Sequence, residues 1–375
     1  MFRTIRTIIL TMTLSSSTLT KTLALAPTSS STSTSTSTST ISNHLSFRHN
    51  HISHTQIDPT LPTTIFIHGL DSSSYTWRDS LSMITKSPAY AIDLRGNGNS
   101  SLGHRNDFSM DTILDDIKTF IQTIFHTMNA THSNTATTTT TTTTTNNQNN
   151  IQNNINISIS NNKIVLVGHS MGARIASCYA AKYPNDICTL IMEDMDIRKR
   201  NVWMNPVPMN ETNVIGFQKR YPTLDDLRKS LLHCGYPNEM IDKWIHDGRI
   251  RHIIDQDNYH HDHDHHEQNS YYWTDVNPEM RLLAYKHIMS TNDGEQAWYN
   301  IAANSNHSFH CHLMVAGMKS QCNEQNLKTM NHIMKDRMII HRFPHATHCI
   351  HKTQHQLYMK IIQQIISDHT TTRTF

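Results

Sequence analysis

Five residues constrain this chain more tightly than any others. Gly168-His169-Ser170-Met171-Gly172 stands between a β-branched run, Lys163-Ile-Val-Leu-Val-Gly168, and a helical segment from Ala173 to Lys182. A short apolar run of this kind suits a fully buried strand. Two glycines let the backbone turn sharply from strand into helix, which lifts the serine hydroxyl clear of the turn. The helix behind it begins with free backbone N–H groups and the positive end of its dipole, an environment that favours negative charge. The pattern predicts nucleophilic chemistry at Ser170.

Three more runs, Thr64-Ile-Phe-Ile67, Ala89-Tyr-Ala-Ile92 and Thr189-Leu-Ile-Met192, are short, apolar and bounded by turn residues. Between them lie helical patterns such as Met110 to Met128, with Ile113, Leu114, Ile117, Phe120, Ile121 and Ile124 on one face. Continuous apolar runs alternating with helices predict a mostly parallel sheet covered on both faces, an α/β architecture. His312 to Ala316 and Arg337 to Arg342 read as later strands, and Gln354 to about Ile366 as the closing helix. The Ser/Thr run at 29–40 and the Thr/Asn tract at 131–162 hold too little apolar surface to order themselves and are expected to be disordered. The second tract falls at a helix-to-strand corner, where closure entropy grows slowly with loop length. The expected core is 58–197 with 306–375. Residues 198–305 read as an inserted helical cap with a His-rich loop at 259–267.

Residues 1–57 contain no Asp or Glu, carry Arg3, Arg6, Lys21 and Arg48, and are dense in Ser and Thr. That is the composition of a plastid or mitochondrial transit peptide, whereas Ile8-Ile9-Leu10 and Ala24-Leu25-Ala26 fit a secretory signal. The segment is expected to be a cleaved targeting sequence, leading to an organelle or the secretory pathway in preference to the cytoplasm. Basic and acidic side chains number 32 and 30, a net charge of +2, so nucleic acid is not expected as a partner and a small molecule is. No apolar run is long enough to span a membrane. Six cysteines, scattered without a C-x-x-C pair, argue against a zinc or thioredoxin-like motif and leave disulfides and oligomeric state open. The His/Asp run reads as a solvated loop, and neither metal nor cofactor is expected.

Phe66-Ile-His-Gly-Leu70, Asp93-Leu-Arg-Gly-Asn-Gly-Asn-Ser100 and Gly168-His-Ser-Met-Gly172, in that order, resemble the α/β-hydrolase superfamily in its cap-bearing, carboxylesterase-like branch of serine hydrolases. The resemblance implies a sheet of about eight strands, a Ser–acid–His triad in that chain order, and an oxyanion hole from the N–H groups of Leu70 and Met171. It places the histidine in Pro344-His-Ala-Thr-His348-Cys-Ile-His351, with His348 as the match and His345 and His351 as competitors. A carboxylate usual after Gly317 is replaced here by Ser320. A second branch carries the acid after the strand that follows the nucleophile helix, a position that falls on Asp194, with Glu193 and Asp196 as neighbours able to trade places. The function implied is hydrolysis of a small carboxylic ester through an acyl-enzyme on Ser170. Thioesterase, acyltransferase, lactonase or carbon–carbon hydrolase activity would use the same residues, and a slow or non-hydrolytic ligand receptor would keep the same pocket. Trp203, Trp244, Trp273 and Trp298 fit either cap core or a pocket roof.

Overall fold

The apolar runs pair edge to edge in a computed structural model that describes residues 10–11, 36–41, 45–50, 56–135, 163–201, 211–254, 270–304 and 309–371. The strands are β1 (Leu10–Thr11), β2 (Thr36–Ile41), β3 (Leu45–Asn50), β4 (Thr63–Ile67), β5 (Ala89–Ile92), β6 (Ile164–His169), β7 (Ile187–Glu193), β8 (Arg220–Tyr221), β9 (Ile250–Ile254), β10 (Ser270–Thr274), β11 (His310–Ala316) and β12 (Met338–Phe343). The main sheet runs β1-β2-β3-β5-β4-β6-β7-β11-β12. It is parallel from β5 to β12, and β3 lies antiparallel to both β5 and β2.

Side chains alternate across the sheet with the period of two that a strand imposes. Ile65 and Ile67 of β4 join one buried cluster and Phe66 the other. The first cluster is covered by α2 (Met110–Thr135), α3 (Met171–Lys182), α8 (Asp293–Ala303) and α9 (Glu324–Met334), the second by α1 (Arg78–Met83) and α11 (His355–Thr371). From β4 the chain first adds β5 on one side and then crosses to add β6 on the other. That reversal makes a topological switch point at the carboxyl ends of β4 and β6, the place where open α/β sheets bind their ligands.

Between β7 and β11 lies a block with α4 (Glu211–Val214), α5 (Leu224–His233), α6 (Asn238–His246) and α7 (Pro278–Ala284). Leu227, Leu231, Ile241, Trp244 and Ile250 form its own apolar centre. Beside the helices expected of a cap, the block carries a small antiparallel sheet, β8-β10-β9, that the sequence reading did not include. These strands pair with one another rather than with the main sheet, and aromatic residues Tyr271, Tyr272 and Trp273 supply their β preference. The far end of the block also departs from expectation. Trp298 of α8 is fully buried in the main core and donates to Met330 O at 3.1 Å. Trp244 likewise is packing, whereas Trp203 and the loop 259–267 lie outside the described residues.

A second correction concerns residues 1–57. Strand β3 is part of the folded sheet, with Leu45 and Phe47 buried, and β2, inside the Ser/Thr run, pairs along its full length with β3. Threonine's β-branched preference is weak alone and takes effect when a neighbouring edge supplies hydrogen bonds. The folded domain therefore begins well before Asp58. The Thr/Asn tract is described only as far as Thr135, where α2 ends. Phe47 packs on Phe120 of α2, ring centroids 5.2 Å apart. Phe47→Ala should cost about 3 kcal/mol of unfolding free energy in urea titrations, a loss typical of a buried aromatic. A chain whose first 57 residues were dispensable would lose almost nothing.

Candidate active site

Ser170 follows β6 with φ 54° and ψ −122°, a strained region for a residue bearing a side chain. Neighbouring contacts hold it there. Its N–H donates to Glu193 O at 2.9 Å. A Cβ at Gly168 would lie 2.3 Å from Gly172 O, and one at Gly172 would lie 2.5 Å from both Ile67 O and His68 O. Only glycine admits these approaches, and they press α3 against the end of β4. Gly69 then faces the turn so closely that its Cβ would sit 3.1 Å from Ser170 Cβ. Leu70 and Met171 thus flank Ser170 from two sides, and among the described residues neither N–H is engaged by another acceptor.

The loops around this turn are braced by groups that take no part in its open face. Buried His68 bonds through Nδ1 to Gly69 O at 2.7 Å and accepts Leu94 N–H at Nε2, 3.1 Å, which ties the His-Gly turn to the Asp93 loop. Asp93 accepts N–H groups from Ser74 at 2.6 Å and Asn99 at 3.0 Å. Gly98, at φ +47°, packs so tightly that a Cβ would fall 2.3 Å from the Asp93 carboxyl. The Asp-x-Arg-Gly-x-Gly-x-Ser segment is scaffolding, with Arg95 gripping Asp116 through two bonds of 2.8 and 2.9 Å.

At the end of β7 two consecutive carboxylates diverge. Asp194, itself at φ 50°, accepts from His348 Nδ1 at 2.8 Å. The same carboxylate collects Ser320 Oγ at 2.6 Å, Ala316 N at 3.0 Å and Gln321 N at 3.0 Å. Burial opposes its ionisation, but the bonds from His348, Ser320, Gln321 and Ala316 prevail and hold its pKa below the ordinary carboxylate value. Asp194 is fully buried while the His348 side chain is 29% exposed, so the imidazole keeps an open edge. The His348 ring packs at a tilt against His169, the residue before Ser170, with centroids 4.7 Å apart, and His169 Nε2 bonds to His348 O at 3.0 Å.

Residues 62–227 match the family model of the alpha/beta hydrolase fold. The chain has the alpha/beta hydrolase fold. The peroxisomal alpha-beta-hydrolase Lpx1 of Saccharomyces cerevisiae superposes with TM-score 0.56 at 14% identity, over 88% of this chain and 83% of that one. A marine microorganism esterase gives 0.52 at 16% identity, over 86% and 99%. An esterase of Mycobacterium tuberculosis gives 0.53 at 14% identity, over 89% and 92%. No curated protein matches the chain in sequence.

The other two acids and the other two histidines of the sequence reading have different partners. Glu193 takes His351, at 2.8 Å to Nδ1 and 3.0 Å to the backbone N. Asp196 binds Arg200 at 2.9 Å and the Asn323 N–H at 3.0 Å, so it braces a loop. His345 is exposed, and His351 is buried with Nε2 on Thr76 Oγ1 at 2.9 Å. Burial holds the Glu193 carboxyl above its usual range and pushes His351 well below its own. His169, likewise desolvated, falls to about 4. These three groups lie close enough to hold a metal ion, but their imidazole and carboxylate atoms already serve one another, Thr76 and the His348 backbone. This inner Glu193–His351 pair was not foreseen as a unit, although both residues stood among the competitors. Ser320 was noted only for the carboxylate it replaces, and it now donates to the carboxylate that does the bonding.

Because the Asp194 pKa is depressed in the fold, its bonds stabilise the protein above the unfolded value near 4 and are lost as pH falls through the lower folded value. Ser320→Ala should therefore cost about 1.5 kcal/mol at pH 7 by urea titration, the worth of a hydrogen bond to a charged group. That cost should narrow as the pH is lowered below about 4. A cost independent of pH would mean that Ser320 does not serve the ionised carboxylate.

Proposed function

We propose that the protein is a serine hydrolase that cleaves small-molecule carboxylic esters. The observation that carries the reading is the conjunction of a strained, glycine-enclosed Ser170 with a partly open imidazole whose other nitrogen is fixed on a buried, ionised Asp194. An acceptor at Nδ1 sets the tautomer, leaving Nε2 to take the serine proton. In the proposed cycle Ser170 Oγ attacks the carbonyl carbon as His348 removes its proton. The N–H groups of Leu70 and Met171 stabilise the oxyanion, and the protonated His348 returns its proton to the departing alcohol. Water, deprotonated by His348, then releases the acid and restores Ser170. Asp194 stays ionised throughout, in keeping with the bonds that depress its pKa.

The block between β7 and β11 serves in this reading as a cap. Three of its side chains grip Asp71, the neighbour of Leu70: Arg281 by an ion pair, Tyr236 Oη at 3.3 Å, and Arg249 through the backbone oxygen. The missing carboxylate after Gly317, which motivates a receptor without turnover, loses its force where Asp194 reaches the same imidazole. Peroxisomal, esterase and thioesterase relatives at 13–16% identity support a hydrolase and leave the acyl bond open. Targeting to an organelle or the secretory route remains part of the proposal, with any leader confined upstream of the paired strands β2 and β3.

With p-nitrophenyl esters of increasing chain length, Asp194→Asn and His348→Ala should each lower kcat by about 10⁴-fold with the fold intact, as loss of a triad member does. Unchanged turnover in either variant would remove that residue from the mechanism. Absence of turnover in the folded wild-type chain would favour the receptor.

A further inference from the structure

Three side chains of the block between β7 and β11 converge on one residue of the core. Asp71 stands directly after Leu70, buried and at φ 52°, a left-handed conformation that a side chain makes unfavourable. Arg281 of α7 pairs with its carboxylate through Nη1, and Tyr236 Oη donates to Oδ1 at 3.3 Å. Arg249, just ahead of β9, donates to its backbone oxygen. Arg281 and Tyr236 are buried as well, and the guanidinium carbon lies 5.8 Å from the centre of the Tyr236 ring. Tyr236 meets Trp244 of α6 edge to face, with centroids 4.7 Å apart, in the apolar centre of the block. An unbroken run of contacts therefore joins that centre to Asp71.

What the cluster holds lies one residue from the proposed oxyanion donor. The Leu70 N–H shares its peptide plane with Gly69 O, and His68 Nδ1 donates to that oxygen at 2.7 Å. His68 Nε2 accepts the Leu94 N–H, so both ring nitrogens are committed and the plane is fixed from the core side. On the other side the chain runs straight into Asp71, whose strained φ is kept by the bonds made to its carboxylate and its carbonyl. Other contacts of the block end elsewhere. Asn277 donates to Gly96 O at 2.9 Å and Lys219 to Gly98 O at 2.8 Å, which seats the block on the Asp93 loop.

We propose that Asp71 is a positioning residue that ties the cap to the oxyanion hole: Arg281 and Tyr236, by holding its carboxylate, keep the Leu70 N–H aimed at the oxyanion. This rests on the serine-hydrolase reading above. The negative oxygen exists only in the tetrahedral species and the transition states beside it, so the strut acts on the chemical step and not on binding of the ester. A donor already aimed stabilises that charge without reorganising, whereas one released from Asp71 would first have to be turned back.

The test measures kcat, KM and inhibition by a trifluoromethyl ketone on the full-length chain with p-nitrophenyl butyrate. The ketone's adduct on a serine places a negative oxygen where the oxyanion forms. Asp71→Asn should lower kcat by about tenfold to a hundredfold, short of losing the donor outright, with KM within about twofold of wild type. Tyr236→Phe deletes one hydroxyl and should lower kcat by about threefold to tenfold, the worth of one hydrogen bond. A double variant, Asp71→Asn with Arg281→Gln, should be no slower than Asp71→Asn alone, because both changes cut the same link. Across the series the ketone's inhibition constant should rise in proportion to the fall in kcat/KM, while the acid limb of the pH profile, set by His348, stays in place. A role in packing alone would lower the urea midpoint and leave kcat and ketone inhibition as in wild type. That outcome in the folded variants would overturn the strut and leave the serine mechanism standing. If Asp71→Asn does not fold, because Arg281 is left without its carboxylate, Tyr236→Phe decides by the same readouts, since it spares the ion pair. Wild type that neither cleaves the ester nor binds the ketone would overturn the hydrolase reading and the strut with it.

Discussion

The end of β7 carries the constraint on which the site depends. Glu193 and Asp194 follow one another in the chain yet bond different histidines, His351 and His348, and Asp194 leaves the strand at positive φ. Glu193 holds His351 of α10 (Ile350–Thr353), and its own backbone oxygen receives the Ser170 N–H. Asp194 holds His348. One strand end therefore fixes the serine turn, the loop bearing the histidine and the orientation of the imidazole together. A displacement of β7 relative to β6 would disturb all three.

Around that strand end the molecule accepts local cost for definition. Positive φ at Ser170, Asp194 and Asp71 is unfavourable for residues with side chains, and each is held by close backbone packing or by several polar bonds. The buried carboxylates are all compensated, Asp194 by four donors and Glu193 by its histidine. Such fully satisfied networks are rigid, and rigidity is what fixed donors need in order to stabilise charge without first reorganising.

Local chemistry made the Ser170 turn legible from sequence, since two glycines, a buried strand and a helix leave few alternatives. His348 and Asp194 were legible only through the spacing of the family pattern, and three adjacent acids could be told apart only when their partners were seen. Longer-range packing hid the rest. Strand β3, six residues with a histidine and an arginine, owes its burial to Tyr90 and Phe120 far along the chain. The strands of the small sheet are two to five residues long and carry no clear alternation, so helical neighbours dominated the reading of that region. Ser320 gave no sign of its role, because a hydroxyl acquires one only from the carboxylate brought to it.

The central claim is that Ser170 is activated by His348 held on Asp194. It is tested most directly by treating the full-length chain with a fluorophosphonate and locating the adduct by peptide mass spectrometry. The account predicts a single adduct on Ser170, absent from Ser170→Ala and strongly slowed in Asp194→Asn. A folded protein that fails to react, or that carries the adduct on another residue, would contradict it.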